Sequence, residues 1–215
     1  MRGLIFLIFL SAVFTVFGQD VSNHGTKNIK LDLFRAAQGT IQLTHEHLIS
    51  PNYSINIGLM GTYASTRGLA KPYLSAQEFT YKDVSANKTY TLANVEALGY
   101  GINIQVRKYL DKFPSKQLKG FYIGSELFYR RLNLTSMVEN ETKEIKRNLN
   151  LGYVGYVLGY QKIVRDIICL DTYIGGGFFL SQYADEQQFT HYRNNYQIDF
   201  TGMYINMGVL VGIVR

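Results

Sequence analysis

Two groups of residues have types and spacing that could support chemistry. In the first, His45-Glu46-His47, the imidazoles stand at positions i and i+2 and would share one face of a strand. Neutral imidazole is a common metal ligand. A zinc site needs a third or fourth ligand, however, and none is evident nearby. We therefore predict no metal and no cofactor, and interpret the two histidines as polar residues of a membrane interface.

The second group lies near the C-terminus and combines a serine, a histidine and two acids: Ser181, Asp185, Glu186 and His191. An enzyme that trims or acylates lipid A at a membrane surface would use a serine and a histidine with an orienting acid. Polar loops commonly contain these residue types, and no motif links these four. We predict that the chain is not an enzyme and has no catalytic residues, with a lipid A-modifying enzyme as the alternative.

Most of the chain alternates apolar and polar residues with the period of two that is typical of strands. After residue 18 there is no run of eighteen apolar residues that could form a membrane-spanning helix. The predicted strands are 28–37, 40–49, 53–63, 95–110, 121–130, 147–163, 167–180 and 203–213. Each has one face suited to hydrocarbon and one that tolerates charge. The pattern predicts an all-β fold, an eight-stranded antiparallel up-and-down transmembrane β-barrel.

One strand is ambiguous by itself. Leu151 to Gln161 reads LGYVGYVLGYQ, and Gly155 and Gly159 have the GxxxG spacing of a dimerising membrane helix. Three glycines inside a helix would each cost about 1 kcal/mol relative to alanine. We therefore predict a strand and treat the glycine spacing as incidental.

The predicted connections alternate in length. Short joins are expected at 50–52, 111–119 and 164–166, and long polar ones at 64–94, 135–146 and 181–197. The first hairpin, Ala36 to Gly39, is also tight. Outer-membrane barrels keep short turns in the periplasm and long loops outside. Both termini are therefore predicted to be periplasmic, and the chain is predicted to lie in the bacterial outer membrane.

Seven charged residues fall on the faces predicted to point inward: Lys30, Asp32, Glu46, Arg107, Glu126, Arg130 and Asp171. An arginine or lysine facing lipid at mid-depth would cost about 2–4 kcal/mol. An eight-stranded barrel is just wide enough to be filled by side chains. We predict a paired polar network that closes the interior. The alternation leaves open which partners meet, and Glu126 with Arg107 is one example to test. A narrow pore is the alternative.

The long connections combine aromatic and basic residues, which suit recognition of a protein, a glycan or the phosphates of the outer leaflet. The candidate recognition residues are Arg67, Lys71, Tyr73, Tyr81, Tyr183, Tyr192 and Arg193. The expected partners are outer-membrane lipid and lipopolysaccharide, and a protein or glycan at the extracellular loops.

The ends and the composition are typical of a secreted single domain. Residues 1–18 have the charged start and apolar run of a signal peptide, followed by an N-terminal segment, 19–27, and the barrel, 28–215. The single cysteine, Cys169, excludes an intramolecular disulfide framework. The net charge of +6 is scattered along the chain, so no nucleic-acid partner is expected. We expect a monomer.

Several stretches resemble small outer-membrane β-barrel proteins of Bacteroidetes-type bacteria, a family largely of unknown function. The stretches are KNIKLDLFRAAQGTIQLTHEHLISPNYSINIGL, KGFYIGSELFYRR and LGYQKIVRDIICLDTYIGGGFF. They cover most of the chain outside the long loops. The resemblance implies a barrel fold and an outer-membrane location, while a C-terminal aromatic residue common in such barrels is replaced by Val214-Arg215. The predicted function is a non-enzymatic barrel that is structural or binds partners through its loops.

Overall fold

The computed structural model describes residues 25–65, 79–83, 88–110, 117–138, 144–184 and 201–215, and nearly all of them lie in strands. The elements in chain order are β1 (Lys27–Asp32), α1 (Leu33–Ala37), β2 (Thr40–Ser50), β3 (Tyr53–Ser65), β4 (Phe79–Asp83), β5 (Lys88–Tyr109), β6 (Gly120–Val138), β7 (Glu144–Val164), β8 (Ile168–Tyr183) and β9 (Gly202–Val214). The predicted signal peptide lies outside the described residues.

Eight of these strands form a ring-like sheet. Each pairs antiparallel with its neighbour in the order β1, β2, β3, β5, β6, β7, β8 and β9, and β9 returns to pair with β1. The remaining strand, β4, pairs with the first residues of β5 beyond the ring. The predicted all-β class and its eight antiparallel strands are confirmed.

Side chains alternate between the inside and the outside of the ring, as the period of two requires. On β6, Phe121, Ile123 and Leu127 are exposed, whereas Tyr122 and Phe128 are buried. The ambiguous strand β7 has Leu149, Leu151, Tyr153 and Val157 inside and Val154, Tyr156 and Leu158 outside. Register therefore decides which residues meet in the interior, because a slip of one residue would reverse every side chain.

The two ends of the ring differ. The turn end carries the β2–β3 turn at Pro51-Asn52, the β7–β8 turn at 165–167, and the start of β1 beside the end of β9. The loop end carries the connections 66–78, 139–143 and 185–200. The β5–β6 connection, 110–119, also lies at the turn end, and it is longer than the β6–β7 connection at the loop end, so the predicted alternation of short and long joins holds only in part.

The first predicted strand, 28–37, is wrong in its second half. β1 ends at Asp32, whose carboxylate accepts a hydrogen bond from the Arg35 backbone N–H at 3.0 Å and so caps the one-turn helix α1. This helix lies in the wall against β2 and β9, with Leu33 exposed and Arg35 buried. None of the helices in the described ranges has the length and apolarity needed to cross a membrane.

Two of the three predicted long connections, 64–94 and 135–146, are shorter than expected because the strands that flank them are longer. The interval 64–94 contains the end of β3, all of β4 and the start of β5. β6 runs to Val138 and β7 begins at Glu144, so little of the interval 135–146 is loop. These extensions contain polar residues, as loops do, so composition alone does not locate the strand boundaries.

The glycine spacing of β7 is not incidental. Gly155 and Gly159 both face inward, and the space that their side chains would occupy is filled by tyrosines, the Tyr153 hydroxyl at Gly155 and the Tyr122 ring at Gly159. A third inward glycine, Gly208, lies beneath the Tyr173 ring. The glycines therefore make room for interior aromatic rings in a ring too narrow to hold them otherwise.

We expect Gly159→Val to lower the free energy of unfolding by about 1–3 kcal/mol, because its side chain would displace Tyr122 in a packed interior. Gly61→Val is the matched control, since Gly61 also lies in a strand and nothing stands within 4 Å of the added Cβ. Urea titration in detergent measures both variants. Equal losses would show that the interior glycines are not packing positions.

Candidate functional site

All seven charged residues predicted to face inward are buried inside the ring, and the most exposed of them is Arg130 at 9%. They come from β1, β2, β5, β6 and β8, and they separate into two groups. Lys30, Glu46, Arg107 and Asp171 form a cluster near the turn end, which we call the four-charge cluster. Asp32, Glu126 and Arg130 lie nearer the loop end.

The four-charge cluster alternates cations and carboxylates. The Lys30 Nζ donates to Glu46 Oε2 and to Asp171 Oδ2, both at 2.6 Å. The Arg107 guanidinium donates to Asp171 Oδ2 at 2.7 Å and to Glu46 Oε2 at 3.3 Å. All four side chains are completely shielded from solvent. Two positive and two negative charges therefore cancel within one buried site.

Neutral donors satisfy the remaining carboxylate oxygens. Glu46 Oε1 accepts from the Ser54 hydroxyl at 2.6 Å and from the Tyr109 hydroxyl at 2.9 Å. Asp171 Oδ1 accepts from the Tyr122 hydroxyl at 2.7 Å. The Arg107 guanidinium also lies over the Tyr122 ring, 4.3 Å from its centre. Buried ion pairs offset their desolvation only when such additional hydrogen bonds are present, and here they are.

The turn end of the interior is covered by the segment that precedes β6. The Leu118 side chain is fully buried below the four-charge cluster, and its carbonyl accepts a hydrogen bond from Gln161 Nε2 at 2.7 Å. The Leu118 backbone N–H donates to the Gly25 carbonyl at 2.8 Å. Gln161 also accepts from Lys30 at 2.9 Å. The base of the interior is thus tied to the cluster above it.

The second group is centred on Glu126. Its carboxylate accepts hydrogen bonds from Asn103 at 2.6 Å, from Gln105 at 3.1 Å and from Asn206. Arg35 stands 3.9 Å from the same carboxylate and 3.8 Å from Asp32. Arg130 donates to the Thr40 hydroxyl at 3.2 Å. With Arg35 included, four buried acids face four buried bases among the described residues.

Glu126 and Arg107, the example pair chosen for testing, are joined through a third side chain. Arg107 uses its Nε and NH2 groups to hold the Gln105 side-chain oxygen, at 2.9 and 2.6 Å, and Gln105 in turn donates to Glu126. One amide therefore bridges the two charges. The guanidinium makes its direct ion pairs with Glu46 and Asp171 instead.

Several contributors to this interior are not among the residues predicted from the sequence. Arg35 was placed in a continuing strand, so its inward direction was not considered. The alternation does assign three of them to the interior face: Tyr122, Gln105 and Asn103. That pattern was the only indication in the sequence that they point inward. Parity gives the face of each side chain but not its partner, since the partners lie on strands distant in the sequence.

The residues considered for metal binding or catalysis make none of the hydrogen bonds described above, and some of them lie outside the described ranges. His45 and His47 are half-buried on the outer face, and the described residues include no group of three or more His, Cys, Asp or Glu side chains placed to hold a metal. Cys169 is fully buried, with Asn28 Nδ2 at 3.7 Å from its sulfur. Ser181 is buried on β8, and Asp185, Glu186 and His191 lie outside the described residues.

Of the candidate recognition residues, only Tyr183 has a described side chain, and it is not in a loop. It ends β8 and is 7% exposed, with the Arg147 guanidinium 3.4 Å from its ring centre. The prediction that Tyr183 belongs to the last long loop is therefore wrong. Tyr81 lies in β4, and Arg67, Lys71, Tyr73, Tyr192 and Arg193 lie outside the described residues.

A double-mutant cycle tests the pairing. We expect Arg107→Gln and Asp171→Asn to couple by about 1–3 kcal/mol in the free energy of unfolding, because their charges are in direct contact. The cycle of Arg107→Gln with Glu126→Gln should couple more weakly, because Gln105 stands between the two charges. Urea unfolding in detergent supplies the values. Stronger coupling to Glu126 than to Asp171 would contradict the geometry.

Neither the known protein-family models nor the curated proteins include a match to this chain. The resemblance to small outer-membrane barrels, made on the three stretches quoted above, stays a prediction.

Proposed function

We propose that the chain is a non-enzymatic transmembrane β-barrel of the bacterial outer membrane, with a closed interior and with loops that bind a partner outside the cell. The observation that carries the proposal is the distribution of residues across the wall. Charges are buried inside the ring, and large apolar side chains cover its outside. A water-soluble protein would have the opposite arrangement.

The outer face suits hydrocarbon. Leu59, Leu98, Leu127, Val154 and Ile174 are each 56–59% exposed, and they belong to five different strands. Soluble monomers rarely expose contiguous apolar patches of more than a few hundred Å². A ring of antiparallel strands leaves no open hydrogen-bonding edge where it is closed, which is the other requirement for crossing a bilayer with strands.

The turn end has the composition of a membrane interface. Phe121 and Tyr160 are exposed there on paired positions of β6 and β7, with ring centres 4.7 Å apart. Tyr53 is exposed beside Lys108, whose ammonium lies 5.8 Å from the tyrosine ring centre. Aromatic and basic side chains collect where hydrocarbon meets headgroups. We place this end in the periplasm, because the β2–β3 and β7–β8 turns, the two shortest connections between strands of the ring, lie here.

The packing of the interior favours a closed barrel rather than a narrow pore. The four-charge cluster joins β1, β2, β5 and β8 across the ring, and Leu118 covers it at the turn end. Toward the loop end, Phe128, Tyr153 and Phe179 pack on one another with ring centres 5.2–5.8 Å apart. An ion would have to disrupt both layers to pass.

We place the binding function at the loop end, in the segment between β3 and the ring portion of β5. That segment supplies Arg67, Lys71 and Tyr73 of the candidate recognition residues, together with Tyr81 on β4. Basic and aromatic side chains together suit phosphate and sugar groups, which lipopolysaccharide combines in one molecule. Lipopolysaccharide is therefore the first ligand to test.

The experiment replaces 66–94 with a short turn. Ser65 and Glu96 are paired across β3 and β5, with the serine hydroxyl 3.4 Å from the glutamate carboxylate, so a few residues can join them. We expect the shortened protein to stay in the outer-membrane fraction and to keep the gel-mobility shift on boiling that folded barrels show. Its binding to purified lipopolysaccharide, measured by calorimetry, should fall at least about tenfold.

Shortening 139–143, which has no aromatic residue, is the matched control and should leave binding unchanged. Equal binding by both shortened proteins would show that the segment between β3 and β5 does not bind lipopolysaccharide. Recovery of the full-length protein in the soluble fraction without detergent would overturn the barrel itself. A change in lipid A mass on deleting the gene would favour the enzyme alternative.

A further inference from the structure

A groove crosses the outer face of β5, β6, β7 and β8 near the turn end, with a volume of about 690 Å³. Two rows of outward residues form it. The upper row consists of Val106, Ser125, Tyr156 and Gly176, which pair in succession across the four strands. Ser125 and Gly176 are small, and nothing lies within 4 Å of a Cβ added at Gly176. The missing side-chain bulk makes the depression.

The lower row begins with Lys108 on β5 and continues through Ile123, Leu158 and Ile174. The three apolar residues are 46–56% exposed. The groove therefore has an apolar floor and one cation at its rim. Its volume falls in the range of about 300–1,000 Å³ that is usual for sites that hold a small molecule.

Lys108 stands one residue before the end of β5, which places it at the depth of a headgroup. A lysine at the membrane midplane would cost about 2–4 kcal/mol, whereas near the interface the cost falls to about 0–1 kcal/mol. The nearby Tyr53 ring holds the ammonium at this rim. A phosphate is the anion that a membrane offers at that depth.

We propose that this groove binds one glycerophospholipid of the periplasmic leaflet, with an acyl chain against the exposed Tyr156 in the space left by Ser125 and Gly176, and with its phosphate at Lys108. The proposal rests on the proposed function, because it requires the outer face to lie in a membrane. An acyl chain fits the apolar floor, and the single lysine complements the single phosphate. A second copy of this chain would instead place two lysines near each other or bury them in hydrocarbon.

The chain has no tryptophan, so a single introduced one can report on the groove. Tyr156→Trp places the reporter opposite Gly176, its cross-strand partner. The control reporter is Tyr100→Trp, opposite Gly61, where a Cβ would also meet nothing within 4 Å. The two positions share the same Tyr–Gly arrangement on the outer face, but Tyr100 and Gly61 are not part of the groove. The probe is phosphatidylglycerol with brominated acyl chains, added to the purified protein in detergent.

We expect saturable quenching of the Tyr156→Trp reporter at low lipid mole fraction, and only gradual, unsaturable quenching of the Tyr100→Trp reporter. Adding Lys108→Gln should weaken the apparent affinity about fivefold, the usual range for one exposed charge pair. Gly176→Leu, which fills the groove, should abolish saturation, whereas Gly61→Leu should change neither reporter.

Equal, unsaturable quenching of both reporters would overturn the proposal and show annular lipid only. A dimer in native mass spectrometry that Gly176→Leu dissociates would also overturn it, in favour of a second copy in the groove. If the mobility shift on boiling persists in either case, the barrel stands and only the groove assignment falls. Recovery of the protein in the soluble fraction without detergent would contradict both the membrane barrel and the lipid site in the groove.

Discussion

The four-charge cluster is the interaction on which the rest of the interior depends. Lys30, Glu46, Arg107 and Asp171 reach inward from four strands, and Ser54, Tyr122 and Gln161 bring in three more through hydrogen bonds. Seven of the eight strands of the ring thus meet at one neutral, solvent-free site. Removing one member would leave an uncompensated buried charge, a loss of about 3–5 kcal/mol in comparable cases. The cluster therefore fixes both the closure of the interior and the register of the wall, because a slip of one residue would turn a charge outward and a slip of two would separate the paired charges.

Much of the ring could be predicted from alternation alone. Charge on one face and apolar bulk on the other gave eight strands and the inward direction of all seven charged residues. The partners could not be predicted, because Lys30 and Asp171 are 141 positions apart and meet only through the closure of the ring. The helix α1 was not predicted, because the alternating pattern continues through Leu33. The hydrogen bond from the Arg35 backbone N–H to the Asp32 carboxylate starts a helix there instead. The role of Gln105 could not be predicted either. In the sequence, an amide that bridges two charges cannot be distinguished from any other polar residue that faces inward.

The interior, the wall and the loop end have different physical constraints. Inside, three of the large rings lie against glycines, as Tyr122 does against Gly159, and little can change without loss of packing. On the wall, small residues such as Ser125 and Gly176 are free of that constraint and can shape a surface for lipid. At the loop end, we assign partner binding to the basic and aromatic residues between β3 and β5 because of the chemistry of their side chains. Function on this scaffold is therefore expected at its surfaces, and stability in its interior.

The central claim is that paired charges and packed rings close the interior of a membrane-spanning barrel. Planar-bilayer recording of the purified full-length protein tests this claim most directly, because an open path through the ring would carry ions whatever the loops bind. The account predicts protein insertion without any steady conductance above that of the bare bilayer. A large, steady conductance from the pure protein would contradict it.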